Sequence, residues 1–398
     1  MTMTTHRRLV LTRTAAIVGA ASTGLLLPGI VRAQASRIRV GLMLPYTGTY
    51  AQLGVAIENG VRMAIAEKGG RLGGRDIEWF KVDDESEPSK GIENATRLVQ
   101  RDKVDVLIGS VHSGVQMGIQ KVARDTGVLS LIPNAGVHAA TRALCAPNVF
   151  RTSFTNSQPT LALGKAMVDK GHKRAVWITW KYAAGDEAFE GFRDSYTKAG
   201  GTVVKELGLP FPNVEFQALL TEIAALRPDA VACFFAGGAA AKFIRDYAAA
   251  GLKGRIPLYG SGFLTEGVLD AAGPAAEGII TTMHYSDSLD TPRNKQFRLD
   301  YAKMFKLQPD VYAVQGYDTG LLLAHGAAAV KGDMNNKQVL HKAIETAVID
   351  SPRGKWSMSK SHNPVQDMYL RVVENRENKV IGVAAKALAD SGAGCKMA

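Results

Sequence analysis

From residue 37 onward the chain alternates two kinds of apolar pattern. Short runs of consecutive apolar residues, such as Ile38 to Leu44, read as strands buried on both faces. Between them apolar residues recur at helical spacing, as at positions 57, 61, 64 and 65. The pattern predicts strands over 37–45, 77–82, 104–109 and 128–132, with helices over 55–68, 88–100 and 113–125 between them. Gly69-Gly70 closes the first helix, glycine being the usual residue after a helix end. The alternation then restarts: strands over 175–179, 203–209, 230–235 and 257–259, helices over 186–199, 216–226 and 239–249. Phe189, Phe192 and Tyr196 form the inward face of the first of these helices. A third section holds helical stretches over 291–305, 317–330 and 338–346 and ends in β-like segments over 367–373 and 379–383. Strands and helices alternating in sequence form parallel sheets covered by helices. The expectation is an α/β protein of two similar units divided near 151–158, joined without a low-complexity linker and so sharing a hinge.

Residues 1–35 do not fit this pattern. They carry Arg7-Arg8, an uncharged stretch from Thr14 to Val31, and Val31-Arg32-Ala33-Gln34-Ala35. A basic start, an apolar middle and an Ala-x-Ala ending describe a secretory signal peptide, with cleavage after Ala33 or Ala35. Arg7-Arg8-Leu9-Val10-Leu11 resembles a twin-arginine signal, and the general secretory route fits the same residues. Gly19, Gly24, Pro28 and Gly29 leave the apolar core short for a membrane span. No cysteine marks a lipid anchor at the cleavage site.

The chain has 398 residues and a net charge of +11, but its cations are scattered rather than striped with aromatics, which argues against nucleic-acid binding. Its three cysteines, Cys145, Cys233 and Cys395, form no zinc-type pair. Cys233 sits in an apolar run and reads as core. Cys145 and Cys395 lie in irregular polar surroundings, where an exported protein could bridge them. The stretch after the first strand, Pro45-Tyr46-Thr47-Gly48-Thr49-Tyr50, is no dinucleotide fingerprint. No phosphate-loop, zinc-protease or nucleophile-elbow motif occurs, so neither an enzyme nor a cofactor is expected.

Arg39 to Gly48, Val82-Asp83-Asp84-Glu85-Ser86, Val106 to Ser110, Phe211-Pro212-Asn213-Val214-Glu215-Phe216, Ala230 to Gly238 and Gln315-Gly316-Tyr317-Asp318 together resemble the branched-chain-amino-acid-type periplasmic binding proteins of ABC transporters. The resemblance spans essentially the whole chain after the signal. It implies two Rossmann-like lobes (the type I fold) joined by three crossovers, one built from 37–155 and 284–365 and the other from 156–283 and 366–398. It also implies a ligand between the lobes, a membrane permease as partner and a periplasmic location. A monomer is expected, because the lobes must swing.

Ligands of open α/β sheets sit beyond the carboxyl ends of the strands. That rule selects Gly109-Ser110-Val111-His112-Ser113-Gly114, where Ser113 is placed as the cap of a helix whose N-terminus favours a carboxylate. The resemblance also places a carboxylate-binding serine at Ser113. His112 is either a cleft donor or a structural histidine. In Pro133-Asn134-Ala135-Gly136, Asn134 either bonds ligand or shapes the turn. The amino-acid binders of the family carry a hydroxyl residue where this chain has Gly136. Tyr182 matches a family position where a tyrosine closes over the ligand. Phe234 and Phe235 end a strand, and Phe235 is taken as the cleft wall. Gly262 and Phe263 end another. The amino-acid binders carry an acidic partner for the ligand's ammonium group about where Gly262 stands, and Glu266 is the nearest acid that could replace it. His284-Tyr285 falls near a hinge crossing, where packing is the simpler role. An ammonium buried without a carboxylate costs several kcal/mol. A site that keeps a carboxylate pocket, lacks the ammonium partner and adds aromatic rings suits an aromatic carboxylate, benzoate-like or phenylpropenoate-like. The same transport role with an amino-acid cargo, and a ligand-sensing module, are the alternatives.

Overall fold

The computed structural model describes residues 37–398; the signal peptide predicted over 1–35 lies outside the described residues. The first sheet is parallel throughout, in the order β2-β1-β3-β4-β5. Its strands are β1 (Ile38–Leu44), β2 (Ile77–Asp83), β3 (Val106–Ile108), β4 (Leu129–Ile132) and β5 (Val149–Arg151). They are connected by α1 (Ala51–Glu67), α2 (Lys90–Thr96, running on into a π turn at Arg97–Arg101), α3 (Ser113–Thr126) and α4 (His138–Thr141). Six of the seven β1 residues are buried, as a strand covered on both faces requires.

The second sheet has the order β11-β12-β10-β9-β8-β6-β7. Its parallel part is β6 (Arg174–Lys181), β7 (Thr202–Pro210), β8 (Ala230–Phe234), β9 (Leu258–Ser261) and β10 (Ile280–Met283). β11 (Ser357–Met358), β12 (Pro364–Glu374) and β13 (Glu377–Leu388) extend it in antiparallel fashion. The helices of this part are α5 (Ser157–Asp169), α6 (Ala183–Lys198), α7 (Gln217–Leu226), α8 (Gly237–Ala249) and α9 (Leu269–Ala272). On α6, Phe192 and Tyr196 are buried, and Phe192 stacks on Trp177 of β6.

The chain passes between the sheets three times, after β5, after β10 and between the last helix of the first-sheet side (Lys337–Glu345) and β11. After β10 it returns to the first sheet as α10 (Pro292–Phe305), α11 (Val311–Ala329) and α12 (Lys337–Glu345). Two glycines let α11 lie directly on α1: a Cβ at Gly316 would meet Ile57 O at 2.0 Å, and one at Gly60 would meet Ala313 O at 2.1 Å. Asp318, from the same Gln-Gly-Tyr-Asp run, forms a buried ion pair with Arg353 at 2.8 Å.

Several details depart from the sequence pattern. β8 stops at Phe234, one residue short of the prediction. α11 begins at Val311, six residues early, because Asp310 caps it by accepting from Ala313 N at 2.9 Å. β5, α5 and β10 were not anticipated. Among the described residues no helix is long and apolar enough to cross a membrane.

Cys145 and Cys395 form a disulfide, and Cys233 is free and buried. The bridge ties the tail after β13 to the segment after α4, assisted by Arg142, which donates to Asp390 Oδ1 at 2.8 Å and Oδ2 at 3.1 Å. Replacing both cysteines by serine is expected to cost about 2–4 kcal/mol, the usual range for a native bridge. Thermal melts with and without reductant check this, and identical melts would contradict it.

Candidate functional site: an aromatic cavity between the sheets

The carboxyl ends of both sheets face each other across a cavity, as the rule for open α/β sheets requires. Acidic residues at the end of β2 hold the loops in place. Asp83 accepts from Tyr46 N at 2.8 Å and Thr47 Oγ1 at 2.7 Å, and Asp84 accepts from Ser110 Oγ at 2.7 Å. The cavity is narrow as it stands, about 20 Å³, roughly the room of one water, so a ligand enters only as its walls part. Six aromatic residues wall it: Tyr50, Phe154, Tyr182, Phe234, Phe263 and Tyr312. Phe154 and Phe263 rings lie 4.8 Å apart, and Tyr312 stacks on Phe263 at 6.0 Å. The lobes touch here: Tyr50, preceding α1, and Tyr182, following β6, share a hydrogen bond of 2.8 Å between their hydroxyls.

Among the described residues, no Asp, Glu, Lys or Arg lines the cavity. Its polar side chains are Asn134, Asn156 and the tyrosine hydroxyls. Asn134 donates to Gln315 Oε1 at 2.7 Å, and Gln315 Nε2 lies 3.3 Å from His284 Nε2. Asn156 donates to Ser113 Oγ at 3.3 Å and Glu187 Oε2 at 2.8 Å. Tyr312 is buried, its hydroxyl has no hydrogen-bond partner among the described residues, and burial pushes its pKa well up, so it keeps its proton. Ala184, in the first turn of α6, and Ala236, the N-cap of α8, also line the cavity, and neither helix has a side-chain cap. Two positive helix ends with uncapped backbone N–H groups therefore sit in its wall, suited to a carboxylate.

The structure brings Asn134, Gly136, Tyr182 and Phe263 together in this lining. Other expected residues fall elsewhere. Ser113 is not the cap of α3; it is the first helical residue, buried under Asn156. His112 is the cap, its Nδ1 accepting from Gly114 N at 3.1 Å. Burial lowers the His112 pKa to about 4, so the ring is neutral with its proton on Nε2. It stacks on Tyr182 with 4.7 Å between ring centres, which makes it the platform behind the tyrosine. Ala135 serves the backbone: its N–H donates to Ser110 O and its carbonyl accepts from Arg151 Nε.

Phe235 is not the cleft wall. It is fully buried against Phe216, Phe243 and Trp180, and Phe234 takes the cavity position. Gly262 lies behind the lining, where a Cβ would meet Arg371 Nη2 and Met283 Cβ at 2.5 Å. An acidic side chain has no room there. Glu266 does not substitute for it, being paired with Arg371 and accepting from Val311 N at 3.0 Å. A hydroxyl residue at Gly136 is excluded in the same way, with Asn156 Oδ1 2.3 Å from a Cβ placed there. His284 stacks loosely on Phe154 at 5.8 Å, and Tyr285 donates to Asn294 Oδ1 at 2.9 Å.

Sequence reasoning missed Tyr50, Phe154, Asn156 and Tyr312. Tyr50 follows β1 and was open to the strand-end rule; Phe154 and Asn156 follow β5 and could have been found had β5 been recognised. Tyr312 had no such signal, since it enters from the start of a helix in the third section.

Two α/β sheets with a cavity between their carboxyl ends and three crossings beneath it define a two-lobed solute-binding protein. The periplasmic binding protein family model matches residues 37–378, and the chain belongs to that family. It is 28% identical over 353 residues to Leu/Ile/Val-binding protein homolog 6 of Brucella abortus (strain 2308), covering 87% of this chain and 90% of that one. A solute-binding protein of an ABC transporter from R. palustris, solved in complex with benzoate, is 52% identical, with a TM-score of 0.89 over 91% of this chain and 100% of that one. Another, from Rhodopseudomonas palustris BisB5 in complex with 3,4-dihydroxybenzoic acid, is 30% identical, with a TM-score of 0.85 over 89% and 99%. The chain is an ABC-transporter solute-binding protein and not an enzyme.

Proposed function

We propose that the protein captures an aromatic carboxylate, benzoate-like or phenylpropenoate-like, in the aromatic cavity and delivers it to the permease of an ABC importer. The observation that carries this is the lining: six aromatic walls, two uncapped helix ends and no acidic side chain. The ring packs among Tyr182, Phe234, Phe263 and Phe154. The carboxylate takes the backbone N–H groups at the starts of α6 and α8 and the Tyr312 hydroxyl. An amino acid would bury its ammonium group with no anion to meet it. The benzoate complex of the 52% identical protein supports the same class. In this reading residues 1–35 direct export to the periplasm, the mature protein acts as a monomer, and the three crossings are the hinge. The lobe boundaries then fall at 37–155 with 284–365, and at 156–283 with 366–398.

Burying a ring removes ~100–150 Å² from water, worth roughly 3 kcal/mol. With a charge-assisted carboxylate this reaches micromolar affinity, about −8 kcal/mol. At a ligand concentration about 1,000 times Kd, binding stabilises the fold by about 4 kcal/mol. Ligand-stripped protein is therefore expected to melt several degrees higher with benzoates, hydroxybenzoates or cinnamates and unchanged with leucine or glutamate. A shift with leucine alone would replace this reading with an amino-acid cargo.

A further inference from the structure

We propose that Glu187 is the latch of cleft closure: a carboxylate on the second lobe that locks onto the first and is coupled to the ligand cavity through Asn156. Glu187 lies on α6 and does not line the cavity. Its two oxygens accept from His138 N, at the start of α4 in the first lobe, at 3.1 and 2.9 Å. One of them also accepts from Asn156 Nδ2 at 2.8 Å. Asn156 stands at the first crossing between the sheets, lines the cavity, and donates to Ser113 Oγ at the start of α3. One carboxylate thus gathers α4, the crossing and the cavity wall onto α6. The bonds from His138 N to Glu187 and from Asn156 to Ser113 run between lobes, so opening the cleft breaks them. Glu187 is a positioning residue: it acts on the ligand through Asn156 and through the closed geometry.

The charged groups around it are already committed. Arg142 is paired with Asp390, and Arg151 donates to Ala135 O, Thr141 Oγ1, Val137 O and Asn363 Oδ1. His138 Nδ1 lies 3.8 Å from both Glu187 and Glu190, and its Nε2 lies 2.8 Å from Ser157 Oγ. Burial, reinforced by Arg142, lowers the His138 pKa to about 3, so it brings no charge. Burial raises the Glu187 pKa to about 7, against the opposing bonds from Asn156 and His138 N. In the open form the exposed carboxylate titrates near its ordinary ~4.3. The closed form therefore holds the proton more tightly. Protonation favours closure, fully below the open-form value and no longer once the pH rises through the closed-form value.

Spin labels at Lys121→Cys, exposed on α3, and Glu222→Cys, partly exposed on α7, report the lobe separation by pulsed dipolar spectroscopy, while Cys233 stays buried. Without ligand, the closed fraction is expected to be several-fold larger at about pH 5.5 than at about pH 8.5. E187Q keeps a neutral acceptor and is expected to hold the low-pH distribution at both values. E187A shifts toward open at both and releases benzoate roughly ten-fold faster. A wild-type distribution independent of pH, or an E187A distribution matching wild type, overturns the latch. The ligand-free arm judges the latch whatever the cargo; failure of benzoate to bind wild type counts against the aromatic reading instead.

Discussion

Glu266→Ala is expected to destabilise the protein by about 3–5 kcal/mol, because it strands a buried guanidinium. Arg371 is fully buried on β12 and Glu266 nearly so in the loop after β9, where they form an ion pair. The guanidinium also donates to Tyr285 O at 2.8 Å, Gly262 O at 3.2 Å and Thr281 Oγ1 at 3.2 Å. The other carboxylate oxygen accepts from Val311 N at 3.0 Å, in the first turn of α11. The pair therefore joins β12 of the second sheet to the helix that carries Tyr312. With about 2.1 cal/mol/K of unfolding entropy per residue, the loss lowers Tm by roughly 4–7 °C. Replacing both partners together, as Glu266→Leu with Arg371→Met, is expected to cost less than the two single changes summed, since no lone charge remains. Thermal and urea unfolding of the three variants measure this. A loss under about 1 kcal/mol for Glu266→Ala would show that water reaches the guanidinium.

The same pair shows why the sequence located Glu266 but misjudged its role. Proximity to Gly262 suggested an ammonium ligand, whereas the partner comes from a strand more than a hundred residues later. The fold was legible where burial is apolar: β1, β3, β4, β6 and β8 consist mostly of apolar residues. It was illegible where the interior is polar. β10 is Ile280-Thr281-Thr282-Met283, which reads as weak, yet Thr282 donates to Pro159 O and Thr281 accepts from Arg371. β5 ends in Arg151, whose burial is satisfied by four acceptors that only the tertiary structure supplies. α5 buries Gln158, Thr160 and Gly164 and so has little apolar stripe. At the site, the errors were one residue wide. Ending β8 at Phe234 rather than Phe235 moves the cavity wall from one phenylalanine to the next, because successive strand side chains face opposite ways. Shifting the α3 cap from Ser113 to His112 turns an expected ligand donor into the tyrosine's stacking platform. These positions depend on where backbone hydrogen bonding stops, which residue type alone does not determine.

Tyr182→Ala is expected to weaken aromatic-acid binding roughly 100-fold. The ring is a cavity wall that comes from the second lobe and rests on His112 and Phe211, at 4.7 and 5.2 Å between ring centres. Its removal opens the cavity to water and forfeits about 3 kcal/mol of ring-on-ring burial, each 1.4 kcal/mol being tenfold in affinity. The fold should lose less than the binding does, since Tyr182 is only half-buried and the core beneath it is formed by Trp180 and Phe235. Tyr182→Phe separates the two contributions of the side chain. The ring stays, but Tyr50, itself almost fully buried, loses the hydroxyl 2.8 Å away. An unpartnered buried hydroxyl costs about 1–3 kcal/mol, and this bond spans the lobes, so the cost falls on the closed state. Affinity is then expected to drop about ten-fold, mainly through faster release. Calorimetry with benzoate and stopped-flow release rates measure both. Equal affinities for wild type and Tyr182→Ala would mean that the ligand sits elsewhere in the cleft, away from the ring that closes it.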